Sequence, residues 1–276
     1  MSKHILLPTD FSDNAWSAIV YALKLFNDET CTFYLLHSTH MRASSMINIT
    51  SKLQEIMNAK AVDDLSQLKE ESISADANSN HDFEVIMSTE DLNDAIERAV
   101  IKNNIDLVVM GTKGATGAKE FFFGSNTARA IKGIRSCAVL AVPDEYDFVP
   151  PKELAFATDF NRFYDEKEIK PLKDLADLYN AKIRIVHINE EEKLNDIQEF
   201  NFKSLKGFLQ DYDHSFHWMP DYAKKRTTLN DFVEELGIHV LAMVNYRHSF
   251  IEAIINEPVI KKIGYHPLVP FLVIPE

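Results

Sequence analysis

Short apolar runs alternate along the chain with longer stretches in which apolar residues recur every three or four positions. The first run, ILLP, is followed by TDFSDNA, which offers helix caps at Ser12 and Asp13. From about Ala15 to Phe26 the apolar residues have helical spacing. The pattern continues with a strand at CTFYLLHS, a helix over about 51–72 and further pairs up to AVLAVP. Alternating strands and helices predict parallel strands joined by crossover helices.

The same order of elements returns in the second half of the chain. After the polar segment DEYDFVPPKE, LAFATDF repeats ILLPTDF and aligns Asp159 with Asp10. IRIVHI, VLAMVN and FLVIP then repeat FYLLHS, LVVMGT and VLAVP, and His187 aligns with His37, which indicates a shared structural role. Four ordered matches indicate a tandem duplication with a period of about 140 residues, the size of a domain. We therefore predict two α/β domains, residues 1–148 and 149–276.

Composition and charge exclude several classes of protein. The 276 residues are 46% hydrophobic and 26% charged, as in soluble globular proteins. The net charge of −13 argues against nucleic acid or an anionic membrane surface as a partner, because both need clustered Lys and Arg. Cys31 and Cys137 are too few for a disulfide framework or a zinc site, and no metal site is predicted. No secretory signal or run of about eighteen apolar residues occurs, so we expect a cytoplasmic protein.

A glycine-punctuated loop is the strongest chemical signal. The stretch VVMGTKGATGAKEFFFGSNTARAI, residues 108–131, holds four of the eight glycines, between a predicted strand and a helix that starts near Ser125. Such a loop lies at the carboxyl edge of the sheet, where α/β folds bind ligands. Glycines allow close backbone approach, and N–H groups with the Ser125 hydroxyl suit phosphate. The alternative is a turn that needs glycine for its own geometry. Neither the P-loop pattern nor the dinucleotide pattern G-x-G-x-x-G fits.

The pattern that fits is G-x2-G-x9-G-[ST], formed by Gly111, Gly114 and Gly124-Ser125. Together with PTDFS after the first strand, it closely resembles the universal stress protein family, and the resemblance covers the chain twice, as in tandem members. It implies two Rossmann-like domains of flavodoxin-like order, each a five-stranded parallel sheet with helices on both faces. It also implies that AVLAVP and FLVIP meet in an intramolecular pseudo-dimer; a homodimer of two chains stays open.

The resemblance further implies an ATP site, with or without Mg²⁺, in the first domain. Asp10 would meet the adenine or ribose, Ser38 the adenine, and the start of the helix after the glycine loop the phosphate tail. The implied set is Pro8, Thr9, Asp10, Ser38, Met110, Gly111, Gly114, Gly124, Ser125 and Asn126. No catalytic residue is predicted, because the loop has no acidic pair to hold a metal and no base at its phosphate end.

The second half lacks the glycine pattern. Asn245 replaces Gly111, His248 replaces Gly114, and NEP at 256–258 stands where Gly124-Ser125-Asn126 stood. Glu257 would place a negative charge beside the phosphate oxygens, at a cost of about 1 kcal/mol or more. Asp159 is kept, although an aspartate after a strand also suits a helix cap. We predict that the second domain does not bind ATP in the same way.

These features predict an ATP-binding stress-response or regulatory protein that holds nucleotide in its first domain only and hydrolyses it slowly at most. Two alternatives stay open: a nucleotide-free interaction scaffold, and a slow ATPase or phosphotransfer enzyme. No pattern in the sequence identifies the physiological signal or the protein partners.

Overall fold

The structure is a computed structural model that describes residues 2–40, 51–112, 124–144, 146–189, 193–220, 231–246 and 269–276. The described residues form two compact units, one up to Phe148 and one from Val149 onward. The predictions for Gly114, His248 and residues 256–258 lie outside the described residues.

The first unit contains a parallel sheet of five strands in the order β3-β2-β1-β4-β5. Their bounds are Lys3–Pro8 (β1), Cys31–Ser38 (β2), His81–Ser88 (β3), Leu107–Gly111 (β4) and Val139–Val142 (β5). This order places β1 between β2 and β4, with Pro8 opposite Leu36 and Leu6 opposite Val108. The order is that of the first five Rossmann strands, in which ligands bind where the strand order reverses beside β1.

Four helices of the first unit have the bounds Asp13–Leu25 (α1), Ser51–Asp76 (α2), Leu92–Asn103 (α3) and Ser125–Gly133 (α4). Contacts of α1 with α2 and of α3 with α4 agree with right-handed crossovers that place the two pairs on opposite faces. The strands are therefore covered on both sides, and Ile5, Leu6 and Leu7 are fully buried. Helix α1 begins two residues earlier than its apolar spacing predicts, because Ser12 is its N-cap and accepts from Ala15 N at 3.3 Å.

The second unit repeats this arrangement with the strand order β8-β7-β6-β9-β10. The strands are Glu153–Thr158 (β6), Lys182–Asn189 (β7), His214–Pro220 (β8), Val240–Asn245 (β9) and Phe271–Pro275 (β10), and two of its helices are Glu166–Tyr179 (α5) and Asp196–Phe208 (α6). Strands β6 to β9 pair in parallel in the same relative order as β1 to β4, and β10 pairs in parallel with β9. The predicted fold class, two Rossmann-like domains with five-stranded parallel sheets, is confirmed. The strand order is the Rossmann order 3-2-1-4-5 and not the flavodoxin-like order 2-1-3-4-5 that the resemblance implies.

The turn after the first strand is the same in both units. Thr9 Oγ1 accepts from Phe11 N at 3.0 Å, and Thr158 Oγ1 accepts from Phe160 N at 3.0 Å. Both phenylalanines have left-handed backbone, with φ of 62° and 55°. A left-handed non-glycine residue costs about 1–2 kcal/mol. The unit without the glycine pattern keeps the same strained turn, so the turn does not depend on the glycine pattern.

The aligned histidines brace this turn in each unit. The rings of His37 and Phe11 lie 4.5 Å apart, and those of His187 and Phe160 lie 4.8 Å apart. Nδ1 of His37 is 2.8 Å from the Thr9 carbonyl oxygen, and Nδ1 of His187 is 3.3 Å from that of Thr158. The two histidines therefore share a structural position.

Candidate functional site

The carboxyl edge of the first sheet brings together the described members of the predicted ATP site. Strand β1 pairs with both β2 and β4, so the ends of these three strands are neighbours. The start of α4 joins them, because the Thr127 hydroxyl donates to the Gly111 carbonyl at 2.7 Å. The nine residues at this edge are Pro8, Thr9, Asp10, Ser38, Met110, Gly111, Gly124, Ser125 and Asn126.

Helix α4 begins with a backbone that can receive an anion. Gly124 is its N-cap and has no side chain that could accept from the first N–H groups of the helix. The next two side chains, Ser125 and Asn126, are exposed. Because the N-terminal N–H groups of a helix have no partners within it, such an end binds phosphate well. Gly124 has φ −57° and ψ 154°, which any residue can adopt, so the backbone conformation does not explain its glycine.

Gly111 has a packing role that the sequence pattern did not reveal. A Cβ on this residue would lie 2.5 Å from the backbone oxygen of Asn14 and 2.7 Å from its Oδ1. Glycine therefore allows the first turn of α1 to pack against the end of β4.

Three buried oxygens near this edge have no hydrogen-bond partner among the described residues: Oδ1 of Asn14, Oδ1 of Asn93 and Oγ1 of Thr112. Thr112 directly follows β4 and is fully buried. A buried polar atom without a partner costs about 1–3 kcal/mol, so each is a place where a ligand or water can bind.

Asp10 stands at the end of β1 with an exposed side chain. Its Oδ1 accepts from the Ser12 N–H at 3.2 Å and from the Ser12 hydroxyl at 2.6 Å. Ser12, not Asp10, caps the helix, and the carboxylate faces solvent with acceptor capacity for a ligand hydroxyl.

A cavity of about 310 Å³ opens beside the end of β2. Its size is at the lower end of the range for small-molecule sites. Of the residues that line this cavity, the sequence motifs predicted only Ser38. Helix α2 contributes several of the others, and no sequence motif marked them. The lining residues are Phe11, His37, Ser38, Thr39, His40, Met57, Lys60, Ala61 and Asp64.

An arginine near the start of α4 was also missed by the sequence motifs. Arg129 Nη2 lies 2.8 Å from Oδ1 and 2.6 Å from Oδ2 of Asp91, the N-cap of α3. The Arg129 hydrogen bond has the largest effect and lowers the pKa of the Asp91 carboxyl; burial, the next largest, opposes it, and the Asn93 backbone N–H adds a smaller lowering. The ion pair joins the N-cap of α3 to the second turn of α4.

The equivalent edge of the second unit is filled by its own side chains. The Tyr246 hydroxyl, just after β9, lies 2.8 Å from Oδ1 and 2.7 Å from Oδ2 of Asp159. The Arg162 guanidinium lies 5.3 Å from the centre of the Tyr246 ring and 5.5 Å from that of Tyr164. Burial, first, and the Asp159 charge raise the pKa of the Tyr246 hydroxyl, which therefore stays a donor.

Helix α5 explains how these side chains fit. It begins at Glu166, seven residues after Asp159, whereas α1 begins at Asp13, three residues after Asp10. Its N-cap is Asp165, in a capping box with Glu168, so the alternative assignment of Asp159 as the cap is wrong. The four additional residues before the helix carry Arg162 to the edge of the sheet.

The described residues contain no group of three His, Cys, Asp or Glu side chains that could bind a metal ion. His214 and His217 lie on β8 three positions apart, so they point to opposite faces of the sheet.

None of the described helices has the length and apolar character to cross a bilayer.

Comparison with known proteins agrees with the geometry. The model of the universal stress protein family matches residues 1–143. The chain belongs to the universal stress protein family. A universal stress protein from Archaeoglobus fulgidus DSM 4304 has 16% identity and a TM-score of 0.70, with coverage of 99% of this chain and 96% of its own. A functionally unknown protein from Pseudomonas aeruginosa PAO1 has 13% identity and a TM-score of 0.57, with coverage of 99% and 92%. At these identities the two structures show the fold alone. No curated protein matches.

Proposed function

We propose that this universal stress protein binds ATP as a stress-response or regulatory protein and holds the nucleotide in its first unit only. The observation that carries the proposal is the contrast between two equivalent sheet edges. Asp10 in the first unit is exposed and bonds only the adjacent Ser12 among the described residues. Asp159 in the second unit accepts the Tyr246 hydroxyl on both carboxylate oxygens.

The first edge has complementary groups for each part of ATP. The cavity lined by Phe11, His37 and Ser38 suits a flat, mostly apolar base. The Asp10 carboxylate accepts from ribose hydroxyls. The N–H groups at the start of α4 and the Ser125 hydroxyl face the phosphates, and the helix dipole favours their negative charge.

The second edge opposes the same ligand. A ribose hydroxyl would have to replace that of Tyr246 on Asp159, and a hydrogen bond to a charged group contributes about 1.5–3 kcal/mol. The ring of Tyr246 is held in place by its contact with Arg162. The strand register aligns Val244 with Gly111, and not Asn245 as the sequence pattern predicted, so a buried valine side chain lies where the first unit has none.

Substitution of Gly124 tests the assignment of the phosphate end. Gly124→Glu should weaken ATP binding at least tenfold in a calorimetric titration, since its carboxylate would face the phosphates. Gly124→Gln is the matched control of equal size without charge, and it should weaken binding less. Both should keep the wild-type circular dichroism spectrum, because the backbone at Gly124 suits any residue. ATP affinity of Gly124→Glu within about threefold of wild type, under 1 kcal/mol, would refute the assignment.

An interaction scaffold is the second candidate, and one feature of the second unit favours it. Phe163, Ile197 and Phe200 are 46%, 66% and 62% exposed, and the rings of Phe163 and Phe200 lie 6.3 Å apart. Exposed apolar groups of this kind can contact another protein. Mass analysis of nucleotide released from protein purified without added ATP separates the candidates, because a nucleotide-free scaffold would release none.

A further inference from the structure

Arg129 lies where its charge can reach the start of α4. It follows Ser125 by four residues, so the two side chains share one face of the helix about 6 Å apart along the axis. Long side chains on a helix lean toward its N-terminus. The guanidinium of Arg129, which contacts Asp91, can therefore reach the turn that carries Ser125.

The partner of Arg129 belongs to the same edge of the sheet. Asp91 caps α3 and accepts from Asn93 N at 3.1 Å. The preceding residue, Glu90, accepts from the Ser38 hydroxyl at 2.5 Å through its carbonyl oxygen, and Ser38 lines the cavity beside β2. The ion pair therefore lies between the residues assigned to the base and those assigned to the phosphates.

Opening of the ion pair between Arg129 and Asp91 should cost little free energy. The side chains of Arg129 and Asp91 are 37% and 30% exposed, and partly exposed ion pairs contribute little to stability because water competes for both charges. Asp91 would keep its bond from Asn93 and its favourable position at the N-terminus of α3 after losing Arg129. A phosphate offers a guanidinium more charge and the same two-pronged geometry as a carboxylate.

We propose that Arg129 exchanges the Asp91 carboxylate for the terminal phosphate of bound ATP, and that Asp91 holds Arg129 when nucleotide is absent. This inference rests on the proposed function and adds a determinant of specificity to it. Arg129 would strengthen binding only of nucleotides whose phosphate tail reaches α4. Asp91 would lower the affinity for those nucleotides by competing for the guanidinium.

Titration of the full chain with ATP and with adenosine tests the exchange. Arg129→Gln should weaken ATP binding about tenfold, the size expected for a lost bond between charged groups. Asp91→Asn should strengthen ATP binding about threefold, since asparagine still caps α3 but does not hold Arg129 by charge. Adenosine, which lacks phosphate, should bind all variants within about twofold of wild type.

Arg98→Gln is the matched control. Arg98 on α3 is 72% exposed and pairs at 2.6 Å with Glu90, the residue before Asp91. Its loss changes the net charge equally, but its ion-pair partner is Glu90 and not Asp91. Equal weakening of ATP binding by Arg98→Gln and Arg129→Gln would overturn the inference, as would no effect of Arg129→Gln. In both cases ATP binding by the wild type would leave the proposed function standing. A wild-type chain that binds adenosine and ATP equally well would overturn the inference, and one that binds neither would overturn both proposals.

Discussion

Replacement of Gly111 by alanine should destabilise the first unit. The added Cβ would lie 2.5 Å from the backbone oxygen of Asn14, whereas carbon and oxygen atoms rarely approach within about 3 Å without strain. A backbone atom cannot turn away, so α1 and β4 must separate by several tenths of an ångström. Overpacking of this kind costs about 1–3 kcal/mol. For a unit of this size the melting temperature should fall by about 3–9 °C.

Two other glycines are internal controls for this prediction. A Cβ at Gly207 in α6 would meet nothing within 4 Å, so Gly207→Ala should stabilise its helix by about 0.5–1 kcal/mol. A Cβ at Gly133 would meet the amide nitrogen of Asn93, a side-chain atom that can move but donates to the Arg129 carbonyl at 3.0 Å. Gly133→Ala should therefore fall between the other two.

Urea and thermal unfolding, followed by circular dichroism, measure the rank order. The expected order of stability is Gly207→Ala above wild type, then Gly133→Ala, with Gly111→Ala lowest. A Gly111→Ala variant as stable as Gly207→Ala would show that α1 and β4 are not in close contact, and would refute the packing explanation for this glycine.

Two predictions concern chemistry. ATP hydrolysis should be slower than about one turnover per minute, far below the roughly 1–100 s⁻¹ of kinases, because backbone N–H groups hold phosphate without activating water. Release of inorganic phosphate by the wild type, compared with Gly124→Glu, measures the rate. Turnover of several per second that is lost in the variant would favour an enzyme. Burial raises the pKa of the Cys31 and Cys137 thiols to about 12, so neither should react with a disulfide reagent at pH 8 until urea is added. Rapid labelling of the native protein at pH 8 would contradict the burial of these thiols. Since the pKa values of the two thiols are raised in the folded state, their contribution to stability is complete below the unfolded pKa of about 8.5 and is lost as the pH rises toward 12.

Most of the element order could be predicted from the sequence, because strands such as β1 and β4 are buried apolar runs followed by turn or cap residues. Strand β8, with the sequence HSFHWMP, has no such run, and the repeat matches gave no counterpart of β3 in the second half. The duplication could be inferred from four local sequence matches. That the ends of β1 and β4 lie at the same edge of the sheet could be inferred from the parallel order of the strands. The starts of helices were less predictable: both Ser12 and Asp13 can cap a helix, and the structure selects Ser12.

The contacts that distinguish the two sheet edges could not be predicted in this way. Tyr246 and Asp159 are 87 positions apart, and Arg129 and Asp91 are 38 apart, so no spacing rule relates them. The strand register aligns Thr112 with Asn245 and not with Tyr246, so the aligned sequences carried no signal for the first pair. The cavity lining from α2 likewise depends on tertiary packing, which the pattern of that helix does not specify.

The number of ATP molecules bound per chain tests the central claim most directly. Native mass spectrometry of the full chain, titrated with ATP to saturation, counts bound nucleotides without assuming where they bind. We expect a single added ATP, because Asp10 is open to a ligand and Asp159 is held by Tyr246. Two ATP molecules bound with similar affinity would contradict the account.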